Sequence, residues 1–230
     1  MGSLPTPLVD ELREELGLLD AVETGTYKGG TAALLAKRFR SVTSIELSPE
    51  LHRAAVETLA SIDNLTLLSG SSPDVLRGLE PSSAGTLFWL DAHWSGLDTA
   101  GQENPCPVLD EIAAIGPGHP HDCLLIDDAR LFNSTEWPSL IDVMNTIAEV
   151  RPDHHVTVAH DLIVAVPRRV RQSVDAFARR ADDAAVRAAE EGRLGRSRAR
   201  LNRVLVHPAF TRPLAALVCV KRAAAKRFAR

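Results

Sequence analysis

Apolar positions along the chain follow two alternating periods. Leu8, Leu12 and Leu16 fall on one side of residues 5–16, the spacing of a short amphipathic helix. Short apolar runs and helical patterns then take turns. Strands are predicted over 18–23, 41–46, 64–70, 85–91 and 122–128, and helices over 31–39, 49–60, 73–79, 107–115 and 139–150. Pro49 stands where a first helical turn tolerates it. "HHVTVAH" and "LIVAVP" read as two strands across a tight His160-Asp161 turn. After Pro167 the strand signals stop, and Ala, Arg and Glu dominate. Alternation of this kind implies right-handed βαβ units and an α/β fold. The expected architecture is a doubly wound, mostly parallel sheet with a C-terminal antiparallel hairpin and a helical extension. The main domain is expected over 1–167 with its short N-terminal helix, and the extension over 168–230.

Ligands of such sheets lie at the carboxyl ends of the strands. Those ends supply Glu23, Glu46, Ser69–Ser72, Asp91 and the pair Asp127-Asp128. Two adjacent carboxylates closing a buried strand require a cation, a proton or open water. "VETGTYKGGT" (22–31) places an acid before Gly25 and Gly29. This E-x-G-x-x-x-G spacing breaks the diphosphate-binding G-x-G-x-x-G pattern and suits a ligand with an ammonium group and no phosphate. Glu46 ends the next strand, where an acid accepts both ribose hydroxyls of an adenosine. Residues 92–106 form a long polar loop, expected to act as a lid that carries Trp94 toward an acceptor, with Trp137 as a second apolar wall.

Composition narrows the classes. With 45% hydrophobic residues in 230, the chain can bury one large core, and 4% aromatics leave few platforms for stacking nucleic-acid bases. Cys106, Cys123 and Cys219 show no paired spacing, so reduced thiols and a cytoplasmic protein are expected. No apolar run approaches a membrane helix, and no membrane partner is expected. The net charge of −4 conceals an asymmetry: residues 168–230 hold 17 of the 26 basic residues and 5 of the 30 acidic ones. A basic tail on an acidic body favours docking onto the same or a second subunit. A homodimer using residues beyond about 195 is therefore expected, and no nucleic-acid motif accompanies the charge.

"ETGTYKGGT", "IELSPEL", "SGSSPDVL" and "WLDAHWSG" together resemble, in order and spacing, the class I S-adenosylmethionine (SAM)-dependent methyltransferases, over roughly residues 15–167. Asp91 followed by Asp127-Asp128 resembles the metal-dependent O-methyltransferases, including bacterial sugar enzymes. The resemblance implies a Rossmann-like fold, SAM and Mg²⁺ as cofactors, and a small-molecule or oligosaccharide acceptor methylated on a hydroxyl. It implies cofactor contacts at Glu23, Gly25, Thr26, Tyr27, Gly29, Thr31, Glu46, Ser72 and Asp91, and metal ligation by Asp91, Asp127 and Asp128. Three carboxylates suit a hard cation better than zinc. A sugar hydroxyl must also lose a proton, and Asp91 and His93 are the expected catalytic residues, with His93 as base. That role is not carried over from the resemblance, and His160 is the reserve. Competing readings are a nucleotide-dependent oxidoreductase and a non-catalytic protein of this fold that binds partners through its tail.

Overall fold

The structure is a computed structural model, and it describes residues 4–93, 101–102 and 104–180. The chain divides into two units, Met1–Arg179 and Arg180–Arg230, and residues 181–230 lie outside the described part.

Seven strands form one sheet in the order β3-β2-β1-β4-β5-β7-β6. They are β1 Asp20–Thr24, β2 Ser41–Glu46, β3 Leu65–Ser69, β4 Thr86–Leu90, β5 Cys123–Ile126, β6 His154–Ala159 and β7 Leu162–Pro167. β1 to β5 pair in parallel, and β7 lies antiparallel between β5 and β6, so the closing hairpin enters through its second strand. The helices are α1 Thr6–Leu16, α2 Gly30–Ala36, α3 Pro49–Leu59, α4 Ser72–Arg77, α5 Val108–Ile115 and α6 Leu140–Val150. This is the doubly wound, Rossmann-like arrangement expected from the alternation. Among the described residues no helix is long and apolar enough to cross a membrane.

Because side chains alternate across a strand, the continuous apolar runs bury both faces. Leu87, Trp89, Cys123 and Leu125 join α1 and Leu35 of α2 in one core; Phe88, Leu90, Leu124 and Ile126 join α5 and α6 in the other. Ser48 and Ser139 cap α3 and α6, their hydroxyls accepting the amides of Leu51 and Asp142. The first core also takes in Val170 and Val174, so the compact unit continues past the Pro167–Arg168 boundary drawn from composition.

At the opposite end of β5 from Asp127, a buried ion pair fastens the elements. Arg151 Nη2 reaches Asp122 Oδ2 at 3.0 Å, and Asp122 Oδ1 accepts the Thr86 amide at 2.8 Å. His154 Nε2 meets the Asp122 carbonyl at 2.8 Å. Asp122 reads from the sequence as a strand residue; its carboxylate instead joins the start of β4 to the end of α6, and its backbone carbonyl meets the start of β6.

Candidate active site

The strand order runs outward in opposite directions from β1 and β4, and helices from the two sides of that switch point lie on opposite faces. A crevice must open where they part. A cavity of about 590 Å³ lies there, with Gly25, Glu46, Ser72, Asp91, His93 and Asp128 among its lining residues.

One end is built by the glycine loop. Gly25 closes β1 with φ +84°, and its amide bonds the Ile45 carbonyl at 2.9 Å. A Cβ there would stand 2.5 Å from the Asp91 carbonyl oxygen, so only glycine lets the loop approach β4 this closely. Tyr27 also has positive φ, and its amide donates to Glu46 Oε2 at 2.8 Å; Ser48 donates its amide to Oε1 at 2.8 Å. Two backbone donors aim the carboxylate, and each oxygen retains capacity to accept a further hydroxyl.

The residues read as cofactor contacts separate into two groups. Gly25, Tyr27, Glu46, Ser72 and Asp91 line the cavity. Glu23, Thr26, Gly29 and Thr31 are not on its wall. Glu23 is buried behind the loop, accepting from the Ser44 hydroxyl at 2.5 Å, and Ser44 shares a second hydrogen bond with Thr26 at 2.6 Å. Burial pushes the Glu23 carboxyl up to about 8; the Ser44 bond opposes this, and the charges of Asp91 and Glu46 add to it. Gly29, at φ +76°, is the cap of α2 and packs against Leu59.

Beside the loop, acids gather around an imidazole. Oxygen and nitrogen atoms of Asp91, His93 and Asp128 lie within 4.8 Å of one another. His93 Nδ1 is 3.3 Å from Asp91 Oδ1, and its Nε2 is 3.2 Å from Asp128 Oδ2. Burial disfavours the charged ring, but the hydrogen bond to Asp91 and the charges of Asp91, Asp128 and Asp127 outweigh it, so the His93 pKa is raised. Asp128 adopts a left-handed backbone at φ 58°, and its Oδ1 accepts from Arg130 at 2.6 Å; Arg130 also pairs with Asp161 of the β6–β7 turn. Asp127 borders the same cavity, outside the group of three. Its Oδ1 is buried without a hydrogen-bond partner. Burial first, then the charges of Asp91 and Asp128, push its carboxyl up to about 6, against the bond from the Asp128 amide.

Other expected residues fall differently. The Trp137 ring lies 5.1 Å from that of His93 and edge-on to Phe132 at 5.0 Å. His160 is exposed on the hairpin turn with its ring 4.7 Å from Phe177, and is not among the cavity-lining residues. Trp94 and most of the proposed lid lie outside the described residues, although Gly101, Gln102 and Asn104 reach the cavity.

Glu111 is not on the cavity wall but is bonded to Ser72, which is, and the sequence reading missed it. It is buried on α5 and accepts from the Ser72 hydroxyl at 2.5 Å and from Thr24, whose Oγ1 faces the Asp91 amide at 3.3 Å. Burial pushes its carboxyl up to about 7, with the hydroxyl bonds opposing and Asp91 and Asp110 adding. Its signal was available: Glu111 stands three residues after Val108 and four before Ile115, an acid on the apolar stripe of a helix. Arg130 and Asp161 carried no such signal, being adjacent to Asp128 only through the hairpin.

No protein-family model matches the chain, and no curated protein matches it in sequence. Solved structures do resemble it. An O-methyltransferase from Bacillus cereus in complex with S-adenosylhomocysteine (SAH) is 17% identical with a TM-score of 0.51, covering 73% of this chain and 83% of that one. The SAH-bound methyltransferase PaMTH1 of Podospora anserina is 17% identical with a TM-score of 0.51, over 73% and 79% of the two chains. A Streptococcus mutans protein described as a methyltransferase, also in complex with SAH, is 12% identical with a TM-score of 0.51, over 73% and 99%. At these identities the likeness establishes the fold: a Rossmann-like sheet of the kind found in SAM-dependent methyltransferases.

Proposed function

We propose that the protein is a SAM-dependent O-methyltransferase acting on a hydroxyl of a sugar or other hydroxylated small molecule, with a divalent cation at the acidic end of its cavity. The observation that carries this reading is one cavity at the switch point with Glu46 on one wall and the acid–imidazole cluster on another. The likeness to SAH-bound methyltransferases supports the same assignment.

Glu46, aimed by the Tyr27 and Ser48 amides, would hold the ribose hydroxyls. Gly25 brings the loop backbone close to the amino-acid portion of the ligand, and Ser72 borders the same space. SAM supplies the methyl group on a sulfonium. Asp91, Asp127 and Asp128 fit a hard divalent cation, Mg²⁺ in the expectation from sequence, because all three carboxylates line the same cavity and Asp127 Oδ1 lacks any partner. When bound, that cation lowers the pKa of an acceptor hydroxyl and orients it. The acceptor proton leaves toward the same cluster, where the sequence reading puts His93 forward as base. Trp137 beside His93 gives an apolar face against which an acceptor ring can rest.

Calorimetric titration of the full chain with SAM, SAH and NAD(P) tests the cofactor assignment. SAM and SAH are expected to bind, and NAD(P) is not. Transfer of labelled methyl to a panel of hydroxylated sugars, with and without EDTA, then tests the reaction. Binding of NAD(P) without SAM would replace this reading with the oxidoreductase one.

A further inference from the structure

We propose that His93 is itself a donor to the cation, through Nε2 beside Asp128, and that the site therefore prefers a first-row ion such as Mn²⁺ over Mg²⁺. The inference rests on the proposed cation at this end of the cavity; it adds His93 as a ligand, moves Asp91 from direct ligation to holding the ring, and sets a selectivity.

The argument begins with both nitrogens of one ring. Nδ1 lies 3.3 Å from Asp91 Oδ1, and a carboxylate only accepts, so a neutral ring satisfies Asp91 with its hydrogen on Nδ1. In the neutral ring Nε2 then presents a lone pair, and it faces Asp128 Oδ2 at 3.2 Å. Two lone pairs at that separation repel unless something positive lies between them. Donors at right angles on one ion, each about 2.1 Å from it, stand about 3.0 Å apart, close to the separation found. A ligating histidine characteristically gives its other N–H to a carboxylate, which sets the tautomer and aims the ring. Asp91 stands where that role requires.

Charge decides between a proton and a metal ion. Asp91, Asp127 and Asp128 bring three carboxylates to this end, and Arg130 is the one arginine or lysine paired with them among the described residues. Arg130 also pairs with Asp161, so these four carboxylates and one arginine leave three negative charges, of which a proton on His93 offsets only one and a divalent ion two. Asp127 gives the independent sign. It is 4% exposed, it lines the cavity, and its Oδ1 has no partner. A buried carboxylate oxygen without a partner is costly unless a ligand meets it.

Donor chemistry then sets the selectivity. Carboxylates alone suit Mg²⁺, while an imidazole shifts preference toward Mn²⁺ and later ions of the row. With Nε2 engaged, His93 is a ligand rather than the base expected from the sequence.

The test uses the full chain, stripped with EDTA and dialysed, with Mn²⁺ and Mg²⁺ as probes. Electron spin-echo spectroscopy of one equivalent of Mn²⁺ should show ¹⁴N coupling from an imidazole, and Mn²⁺ should bind about tenfold or more tighter than Mg²⁺ in competition. His93→Ala should abolish the coupling and weaken Mn²⁺ about tenfold or more, with Mg²⁺ little changed and the circular dichroism spectrum retained. Asp127→Asn should keep the nitrogen signal. Mn²⁺ bound without nitrogen coupling, or bound equally well by His93→Ala, overturns the inference and leaves a carboxylate-only cation site. If neither ion binds, the inference fails together with the cation in the proposed function; SAH titration of the same samples shows whether the methyltransferase reading survives.

Discussion

At the residue scale, carboxylates in and around this site sit in different surroundings. Glu46 receives two backbone amides and faces the cavity, so its substitution should act on cofactor binding. Glu46→Ala is expected to weaken SAH by about 2–3 kcal/mol, the cost of a charge-assisted hydroxyl pair, as read by calorimetry. An unchanged affinity would remove Glu46 from the ribose. Glu23 and Glu111 are the opposite case: burial raises their carboxyls to about 8 and about 7, from an ordinary 4.5. Below about 4.5 both are protonated in the folded and unfolded chain alike, and neither contributes. As pH rises toward 7 and 8 the unfolded chain releases protons that the fold retains, so stability falls across that window and the loss is complete above it. Urea midpoints of the ligand-free protein should therefore drop between about pH 5 and 8.5. Glu23→Gln and Glu111→Gln should each flatten the decline.

At the element scale, the cavity depends on how closely β1, β4 and β5 are held. Gly25→Ala forces a side chain into a positive φ and against the Asp91 carbonyl. The expected result is a protein destabilised by about 1–3 kcal/mol that no longer retains SAH in a thermal-shift assay. At the other end of the sheet, Arg151 and Asp122 are both buried, and removing one partner leaves a charge alone. Arg151→Met should cost about 3–5 kcal/mol in urea unfolding, and adding Asp122→Asn should recover part of it. A loss under 1 kcal/mol would mean that water reaches the pair. This contact joins α6 to β4, β5 and β6, so its failure should loosen the hairpin that brings Asp161 to Arg130.

For the whole molecule, the charge asymmetry is the feature that local structure does not absorb. The acidic body ends in described helix at residues 171–180, where Val174 is buried and Ser173 donates to Glu15 at 2.6 Å. The basic, apolar-rich segment beyond lies outside the described residues, as do Val204, Phe210 and Leu214, through which the expected homodimer would assemble. Exposed charge is screened within about 8–10 Å at physiological salt, so apolar area must supply the affinity. Light scattering on the full chain and on a chain ended after Arg180 is the measurement. A dimer that becomes a monomer is expected, and equal masses per chain would assign the tail no part in assembly. The cut falls after Arg180 because Val170 and Val174 belong to the core of the body.

The sequence by itself determined the strands, the helices, the mostly parallel sheet and the list of polar strand ends, because period and apolar run length are local properties; the strand order came only with the fold. Gly25, Glu46, Asp91 and the Asp127-Asp128 pair were legible for the same reason: each closes a strand whose direction was already known. Tertiary structure decided which of these share a space. Glu23, first in its motif, was turned behind the loop by Ser44 from the neighbouring strand, and α5 brought Glu111 to Ser72 of α4. Neither contact has a sequence spacing to betray it. The two carboxylates on His93 come from β4 and β5, and the arginine that holds Asp128 is held in turn by a hairpin about thirty residues on. Local pattern specifies which residues arrive at the end of a strand. Only packing between strands and helices distant in the chain sets which atoms meet there, and the chemistry follows from those distances.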